Sequence, residues 1–235
     1  MLLLAFETSA KAASVALFED RKLLGECYQN TGLTHSQTLM VMAEDLLKQC
    51  GLEPEAVEGV AVAAGPGSFT GIRIGMAAAK GFAWGRQIPL WGVSTLEAMA
   101  RGLGIHEGIV CPVMDARRSQ VYNGLFRFAC GNCTKIREDR AISLKDLGED
   151  LQNFQEPIFL VGDGANLCYN TLSEEAPRLI LPPEHRLHQR ASGVALAALA
   201  QMAGGDPGNA AGLVPNYLRL SQAERERLER EQKTK

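Results

Sequence analysis

A glycine-rich segment occupies residues 65–81 and reads GPGSFTGIRIGMAAAKG. It follows Gly59–Ala64, a continuous run of small apolar residues that is typical of a buried strand in a parallel sheet. The glycines and Pro66 break that strand, and a helix is expected from about Thr70. This order of buried strand, glycine-rich loop and helix predicts an α/β fold.

The glycine-rich loop has two interpretations, a structural turn or a phosphate cradle at a helix N-terminus. A Walker loop has four residues between its first two glycines and then Lys, whereas here five residues separate Gly65 from Gly71 and Ile72 follows. The dinucleotide fingerprint has two residues between its last glycines, whereas three separate Gly67 from Gly71. We favour the structural turn and keep the phosphate cradle as the alternative.

The helix expected from Thr70 carries unusually small residues on one face, namely Gly71, Gly75, Ala78 and Ala79. Little side-chain bulk on a helix face allows a close approach by a neighbouring element. That neighbour is either a helix of a partner or the sheet of this same chain, and both roles stay open.

The rest of the chain extends this pattern in both directions. Strands are predicted at Leu2–Phe6, Ser14–Phe18 and Leu23–Tyr28, followed by a helix from Thr34 to Gly51 with Thr34 and Gln37 at capping-box spacing. Beyond the central segment, strands are predicted at Ile109–Met114, Gln120–Phe128 and Cys133–Arg137, then a helix at Leu144–Leu151 and a strand at Ile158–Val161.

Both halves therefore contain three strands, a helix, a strand and further helix, which predicts a duplicated α/β unit with two mixed sheets. We expect an N-terminal half over residues 1–105 and a smaller C-terminal half over residues 106–220. A charged helix or tail is expected over residues 221–235, where acidic and basic residues alternate.

Composition and charge restrict the function. Of the 235 residues, 46% are hydrophobic and 22% are charged, as in a globular protein. The formal net charge of -3, without a block of basic residues, argues against a protein that grips RNA unaided. The first residues, MLLLAFETS, predict a buried strand and not a signal peptide, and no stretch approaches the roughly 20 apolar residues of a membrane span. We expect a cytoplasmic protein with reduced cysteines.

Candidate metal ligands lack partners in the sequence. His35 lies in the first turn of a predicted helix, but position 39, where a second histidine would complete a metal pair, is a leucine of the apolar stripe. Cys130 and Cys133 form a CxxC without a second CxxC. The residues between them, Gly131 and Asn132, suit a two-residue hairpin turn, so we expect a hairpin and no metal site.

One polar turn follows the first strand of each half: Glu7-Thr8-Ser9 in the first half and Asp115-Ala116-Arg117-Arg118 in the second. In a nucleotide-binding duplicate, both would be small, glycine-rich turns that approach phosphates closely. The first turn has no glycine, and the second carries two bulky arginines, which can still attract an anion. Turns that only orient the two halves are the other interpretation. The sequence has no GxSxG nucleophile elbow, so it gives no support to the interpretation that the protein is a hydrolase.

The chain resembles the bacterial TsaB (YeaZ) family in seven segments: FETSAKAASVAL, THSQ, GPGSFTGIRIGMAAAKG, GVSTLEA, DARRSQVY, VGDGA and PNYLR. The resemblance covers residues 1 to about 100 densely and the rest by spaced motifs. It implies the duplicated actin-like, or ribonuclease H-like, fold known as ASKHA. One departure is Glu7, where the family more often has Asp, and this weakens the transfer of a nucleotide contact to that position.

The resemblance implies a role in making threonylcarbamoyladenosine beside the anticodon of tRNAs that read codons beginning with adenine. TsaB-family proteins do not transfer the group themselves. They pair with the catalytic paralogue TsaD, which uses a His-x-x-x-His metal pair and threonylcarbamoyl-AMP, and with the ATPase TsaE. We expect a non-catalytic subunit that binds no cofactor alone, while ATP and threonylcarbamoyl-AMP serve the assembly. The alternative is a weak actin-like ATPase or a metallopeptidase-like enzyme acting alone.

The resemblance also implies where partners bind. The helix Thr70–Trp84 would form the dimerisation surface of a homodimer or of a heterodimer with TsaD, and tRNA would be reached through the complex. The interface residues expected are Phe69, Gly71, Arg73, Gly75, Ala78, Lys80 and Trp84. A nucleotide at this interface would lie near Glu7, Thr8, Ser9, Gly65, Gly67 and Ser68. No catalytic residue and no metal ligand is expected.

Overall fold

The structure is a computed structural model that describes residues 1–174, 176 and 178–219. Its first half contains, in chain order, β1 (Leu2–Glu7), β2 (Ala13–Glu19), β3 (Lys22–Gln29), α1 (His35–Gln49), β4 (Gly59–Gly65), α2 (Phe69–Arg86), β5 (Leu90–Ser94) and α3 (Thr95–Leu103). Its second half contains β6 (Gly108–Asp115), β7 (Gln120–Ala129), β8 (Asn132–Ser143), α4 (Leu144–Leu151), β9 (Ile158–Val161), α5 (Ala165–Leu172), β10 (Leu179–Ile180) and α6 (Ala191–Ala203).

The two five-stranded sheets have the same topology. The first has the order β3-β2-β1-β4-β5, and the second has the order β8-β7-β6-β9-β10. In each sheet the first three strands pair antiparallel, and the last two continue from the first strand in parallel. The predicted duplication with mixed sheets is therefore confirmed, and this repeated topology is that of the actin-like fold.

The first sheet is buried on both faces because alternate residues of β1 pack into different cores. Leu4 and Phe6 pack with the apolar faces of α1 and α2. Leu3 and Ala5 pack on the opposite face with the alanine-rich helix α6. Since successive side chains of a strand point to opposite faces, the continuous apolar run of β1 fills both cores.

Helix α6 follows the second sheet in the chain but packs on the first one, beside α3. Its buried residues are Ala191, Gly193, Val194, Ala195, Ala197 and Ala198, and their small size allows close helix packing. The division into halves at residues 105 and 106 stays a prediction. Helix α6, which belongs to the predicted second half, packs in the core of the first half. The predicted helix or tail over 221–235 lies outside the described residues.

Two local predictions are wrong in detail. The hairpin between β7 and β8 exists, but Ala129 pairs with Asn132, so its turn is Cys130–Gly131 and not Gly131–Asn132. Both turn residues have positive φ angles, 50° and 77°, which the two-residue turn requires. Thr34 is the N-cap of α1, but its side chain makes no capping hydrogen bond.

None of the helices within the described ranges is long and apolar enough to cross a membrane.

Candidate functional site

The glycine-rich loop before α2 is held by the turn that follows β1. The amide of Ser68 donates a hydrogen bond to the carbonyl oxygen of Ser9 at 2.6 Å. A Cβ atom on Gly67 would lie 2.4 Å from the same carbonyl oxygen. The Ser68 hydroxyl caps α2 by accepting from the amide of Gly71 at 3.2 Å. The amides of Ser68 and Gly71 are thus bonded within the chain, which supports the structural turn over the phosphate cradle.

Gly71 and Gly75 face the interior of their own chain, where they make room for Thr8. A Cβ atom on Gly71 would lie 2.0 Å from the Thr8 carbonyl oxygen, and one on Gly75 would lie 2.2 Å from Thr8 Oγ1. Thr8 Oγ1 also donates to the Gly71 carbonyl oxygen at 2.8 Å. Both glycines are buried against the turn after β1, so they pack within their own chain, and a contact of either with a partner stays a prediction.

Glu7 is buried at the end of β1, with 1% of its surface exposed. Its Oε1 accepts a hydrogen bond from the Ser9 amide at 2.5 Å, whereas its Oε2 has no partner among the described residues. Burial raises the pKa of Glu7 to about 7 because the charged form loses water, and the Ser9 hydrogen bond opposes this only in part. A carboxyl with such a pKa changes its charge near neutral pH.

A cleft of about 560 Å³ separates the ends of the two sheets. It brings together the turn after β1, the glycine-rich loop, the turn after β6 and the loop after β9. Its charged lining residues are Lys11, Asp115, Arg117, Asp163 and Arg219. Of the predicted nucleotide-proximal residues, Ser9, Gly67 and Ser68 line the cleft, whereas Glu7, Thr8 and Gly65 are buried behind it. Nucleotide binding there stays a prediction.

Asp163, an acidic residue that lines the cleft, comes from the Gly-Asp-Gly sequence after β9. Burial raises the pKa of Asp163, while a hydrogen bond from Gln189 Nε2 at 3.3 Å opposes the rise. Asp163 in turn repels the charge on Glu7. Glu7 is buried in the first half, whereas Asp163 of the second half keeps an exposed surface at the cleft.

A C-terminal segment, residues 208–219, connects the two halves along the cleft. The Asn216 amide donates to the Ala64 carbonyl oxygen in the first half at 2.7 Å. Arg219 Nη1 donates to the Ala116 carbonyl oxygen in the second half at 2.8 Å. Between them, the ring of Tyr217 stacks on Phe69, with centroids 4.0 Å apart.

Arg73 completes this aromatic stack on the first turns of α2. Its guanidinium carbon lies 4.3 Å from the centre of the Phe69 ring, and its Nε donates to the Tyr217 hydroxyl at 2.9 Å. A cation over an aromatic face is stabilising by about 0.5–1 kcal/mol at an exposed site. Phe69 and Arg73, predicted as interface residues, therefore also fasten the C-terminal segment to α2.

The solvent-facing side of α2 is a second stripe of small residues, Ala77, Gly81 and Gly85. A Cβ atom added at Gly81 or Gly85 would meet no neighbouring atom of the described residues within 4 Å, so this stripe is open. Trp84 lies beside it with 77% of its surface exposed. Of the predicted interface residues, Arg73 and Trp84 are exposed and Phe69, Ala78 and Lys80 are partly exposed.

Comparison with known proteins identifies the family. The family model for TsaD, tRNA N6-adenosine threonylcarbamoyltransferase, matches residues 29–226. The tRNA threonylcarbamoyladenosine biosynthesis protein TsaB of Bacillus subtilis strain 168 is 32% identical over 225 residues, which are 95% of this chain and 96% of that protein. The chain belongs to the TsaB family.

Solved structures agree with membership of the TsaB family and with the fold. A Pseudomonas aeruginosa protein described as similar to the peptidase YeaZ is 28% identical, with a TM-score of 0.77 over 93% of this chain and 99% of that chain. Component A of the Acidaminococcus fermentans (R)-2-hydroxyglutaryl-CoA dehydratase is 12% identical, with a TM-score of 0.51 over 86% of this chain and 99% of that chain, and shows the fold alone. The predicted family and the actin-like fold are confirmed.

In this TsaB-family chain, Leu39 is 1% exposed and belongs to the first core, as the sequence predicted. His35 instead contacts the turn after β1, where its Nε2 lies 2.8 Å from the Ala10 carbonyl oxygen. Within residues 1–174, 176 and 178–219, no three His, Cys, Asp or Glu side chains are placed to hold a metal ion.

Sequence reasoning missed Asp163, Tyr217 and Arg219 as residues of the cleft. The signals were present in the family motifs VGDGA and PNYLR, which contain all three. Neither motif alone indicates that the end of the second sheet and the C-terminal segment meet at the first sheet.

Proposed function

We propose that this protein is a non-catalytic subunit in the formation of threonylcarbamoyladenosine on tRNA. It pairs with TsaD, which transfers the threonylcarbamoyl group from threonylcarbamoyl-AMP to adenosine, and TsaE joins the assembly as an ATPase. TsaD, TsaE and tRNA are its partners, in the cytoplasm where tRNA is modified. The chain binds no cofactor by itself.

The exposed face of α2 is the observation that carries this proposal. A stripe of Ala77, Gly81 and Gly85 allows a partner helix to approach closely. Trp84 is an apolar anchor beside the stripe, and tryptophan is enriched among residues that dominate binding energies. The same face serves TsaD in the heterodimer and a second copy of this chain in a homodimer.

The interior of the site supports a subunit without chemistry of its own. The Ser68 amide, which a phosphate would need, is bonded to Ser9. Leu39 packs in the core at the position where a second metal ligand would stand. Both observations support a turn that positions α2.

Reconstitution tests this proposal. Threonylcarbamoyl transfer to unmodified tRNA is measured with TsaD, TsaE, ATP and threonylcarbamoyl-AMP, with and without this chain, and with this chain in place of TsaD. We expect product only when this chain and TsaD are both present. Product without TsaD would assign catalysis to this chain, and equal product without this chain would remove its role as a required subunit.

A further inference from the structure

Arg73 is an exposed cation on the outer face of α2. Positions four and eleven residues apart fall within about 40° of each other around a helix of 3.6 residues per turn, so Arg73 shares one side of α2 with Ala77 and Trp84. No Asp or Glu within residues 1–174, 176 and 178–219 forms an ion pair with Arg73, whereas Arg86 of the same helix pairs with Glu55 at 3.5 Å. The charge of Arg73 is therefore available to a partner.

Two aromatic rings fix the guanidinium group of Arg73. Its central carbon lies 4.3 Å from the centre of the Phe69 ring and 5.8 Å from the centre of the Tyr217 ring. The two rings stack on each other with their planes 11° apart. Arg73 Nε also donates a hydrogen bond to the Tyr217 hydroxyl at 2.9 Å. These contacts restrict the arginine side chain before a partner binds, which reduces the entropy lost on binding.

Tyr217 is in turn held by the backbone of the C-terminal segment. The Asn209 amide donates to the Leu90 carbonyl oxygen of β5 at 2.9 Å. The Asn216 amide, next to Tyr217 in the chain, donates to the Ala64 carbonyl oxygen of β4 at 2.7 Å. Tyr217 thus reaches α2 from a backbone that is fixed to two strands of the first sheet.

The guanidinium group of Arg73 keeps one open edge. Its Nε is bonded to Tyr217, and in the described part of the chain neither Nη atom donates a hydrogen bond to an acceptor. Two Nη atoms in one plane form a fork that matches the two oxygens of a carboxylate. The open edge therefore suits a carboxylate of a partner.

The surroundings of Arg73 favour a protein partner of a different sequence. Exposed Trp84 and the open stripe of small residues offer apolar contact and a close backbone approach, whereas RNA phosphates require a row of cations. Helix α2 contains no Asp or Glu, so the α2 of a second copy would bring no carboxylate to Arg73. The face therefore fits an acidic side chain of another protein.

We propose that Arg73 binds a carboxylate of the protein that docks on α2, and that Tyr217 is the positioning residue that holds Arg73 for this contact. This inference rests on the proposed function, in which the docking protein is TsaD. The carboxylate accepts from both Nη atoms, while Nε stays bonded to Tyr217. The C-terminal segment thereby belongs to the partner-binding surface, although it follows the second sheet in the chain.

The test measures affinity for TsaD by calorimetry in variants of the two residues. Arg73→Gln removes the charge and the fork and should weaken binding about 30-fold, and Arg73→Lys, which keeps only the charge, should weaken it at least about tenfold. Tyr217→Phe keeps the ring and removes only the hydroxyl, and should weaken binding about fivefold. Arg21→Gln, at an exposed arginine of the β2–β3 turn, is the matched control and should bind within about twofold of the wild type.

A double variant separates positioning from a general structural role. Because the Tyr217 hydroxyl acts through Arg73, Tyr217→Phe should weaken binding less than about twofold when Arg73→Gln is already present. The same fivefold loss in both backgrounds would overturn the positioning role of Tyr217. Binding by Arg73→Lys as tight as that of the wild type would overturn the carboxylate fork, because charge alone would then suffice.

Failure of this inference is distinguishable from failure of the proposed function. Undiminished binding of TsaD by Arg73→Gln would overturn the inference and keep the function, whereas a wild type that does not bind TsaD would overturn both. The same variant is also tested for self-association and for tRNA binding. A loss in either of these without a loss of TsaD binding would assign Arg73 to a second copy or to an RNA phosphate, and would overturn the inference.

The hold of Tyr217 on Arg73 is measurable without a partner. In NMR spectra, the Nε–H of Arg73 should exchange with water at least about fivefold more slowly in the wild type than in Tyr217→Phe, because the hydroxyl accepts its hydrogen bond. Equal exchange rates in the two folded proteins would overturn the positioning role of Tyr217.

Discussion

Replacing Glu7 by Gln should change how stability depends on pH. Burial raises the pKa of Glu7 from 4.5 to about 7, so the folded protein binds more protons than the unfolded chain between these values. The free energy of unfolding of the wild type therefore falls as the pH rises through this window. At about 1.4 kcal/mol for each tenfold change in proton affinity, the full loss is roughly 3 kcal/mol above pH 7. Glutamine does not ionise and avoids this loss.

Urea unfolding at pH 5, 6, 7 and 8, followed by tryptophan fluorescence, measures the effect. We expect Glu7→Gln and the wild type to differ by less than about 1 kcal/mol at pH 5, and the variant to be more stable by about 2–3 kcal/mol at pH 8. Glu19→Gln, at an exposed glutamate of β2, is the matched control and should show no growing difference. A difference for Glu7→Gln that does not grow from pH 5 to pH 8 would refute the reasoning.

Four further substitutions test the packing and the outer face of α2. Gly75→Ala places a methyl group against Thr8 and should lower the free energy of unfolding by about 1–3 kcal/mol, whereas Gly81→Ala at an open position should raise it by up to about 1 kcal/mol; equal effects in urea unfolding would contradict this packing. Arg73→Ala removes the cation over an aromatic ring and should cost about 1 kcal/mol in the same assay, and an unchanged midpoint would argue against the stack. Trp84→Ala should weaken TsaD binding about 30-fold in calorimetry without changing stability, and an unchanged affinity would remove Trp84 from the interface.

Much of the fold was predictable because each half repeats the same apolar pattern. The runs at Leu2–Phe6 and Ile109–Met114 predict buried first strands, and both are central strands of their sheets. β5 and α3 were not placed, because Leu90–Ser94 is short and leads directly into a helix. The hairpin turn lies one residue before the predicted position, at Cys130–Gly131. The sequence does not indicate that a cysteine adopts a positive φ angle there.

The site was less predictable because α2 has small residues on two sides. Gly71 and Gly75 face Thr8, whereas Gly81 and Gly85 face solvent, and composition alone does not distinguish the two stripes. The contact between the halves was also hidden. Asp163 repels a charge on Glu7 because the ends of the two sheets face the same cleft. The two residues are far apart in the sequence, and no repeating sequence pattern indicates that they come near each other.

The most direct test of the subunit role places a charge on the outer face of α2. Ala77→Arg puts a large cation into the exposed small-residue stripe, and Ala203→Arg puts the same side chain on an exposed alanine of α6, on the other side of the first sheet. Both variants are assayed for threonylcarbamoyl transfer with TsaD and TsaE after urea unfolding has shown that they are folded. We predict that Ala77→Arg lowers product formation at least about 30-fold while Ala203→Arg keeps it. Equal activity of the two variants would contradict the assignment of this face to TsaD.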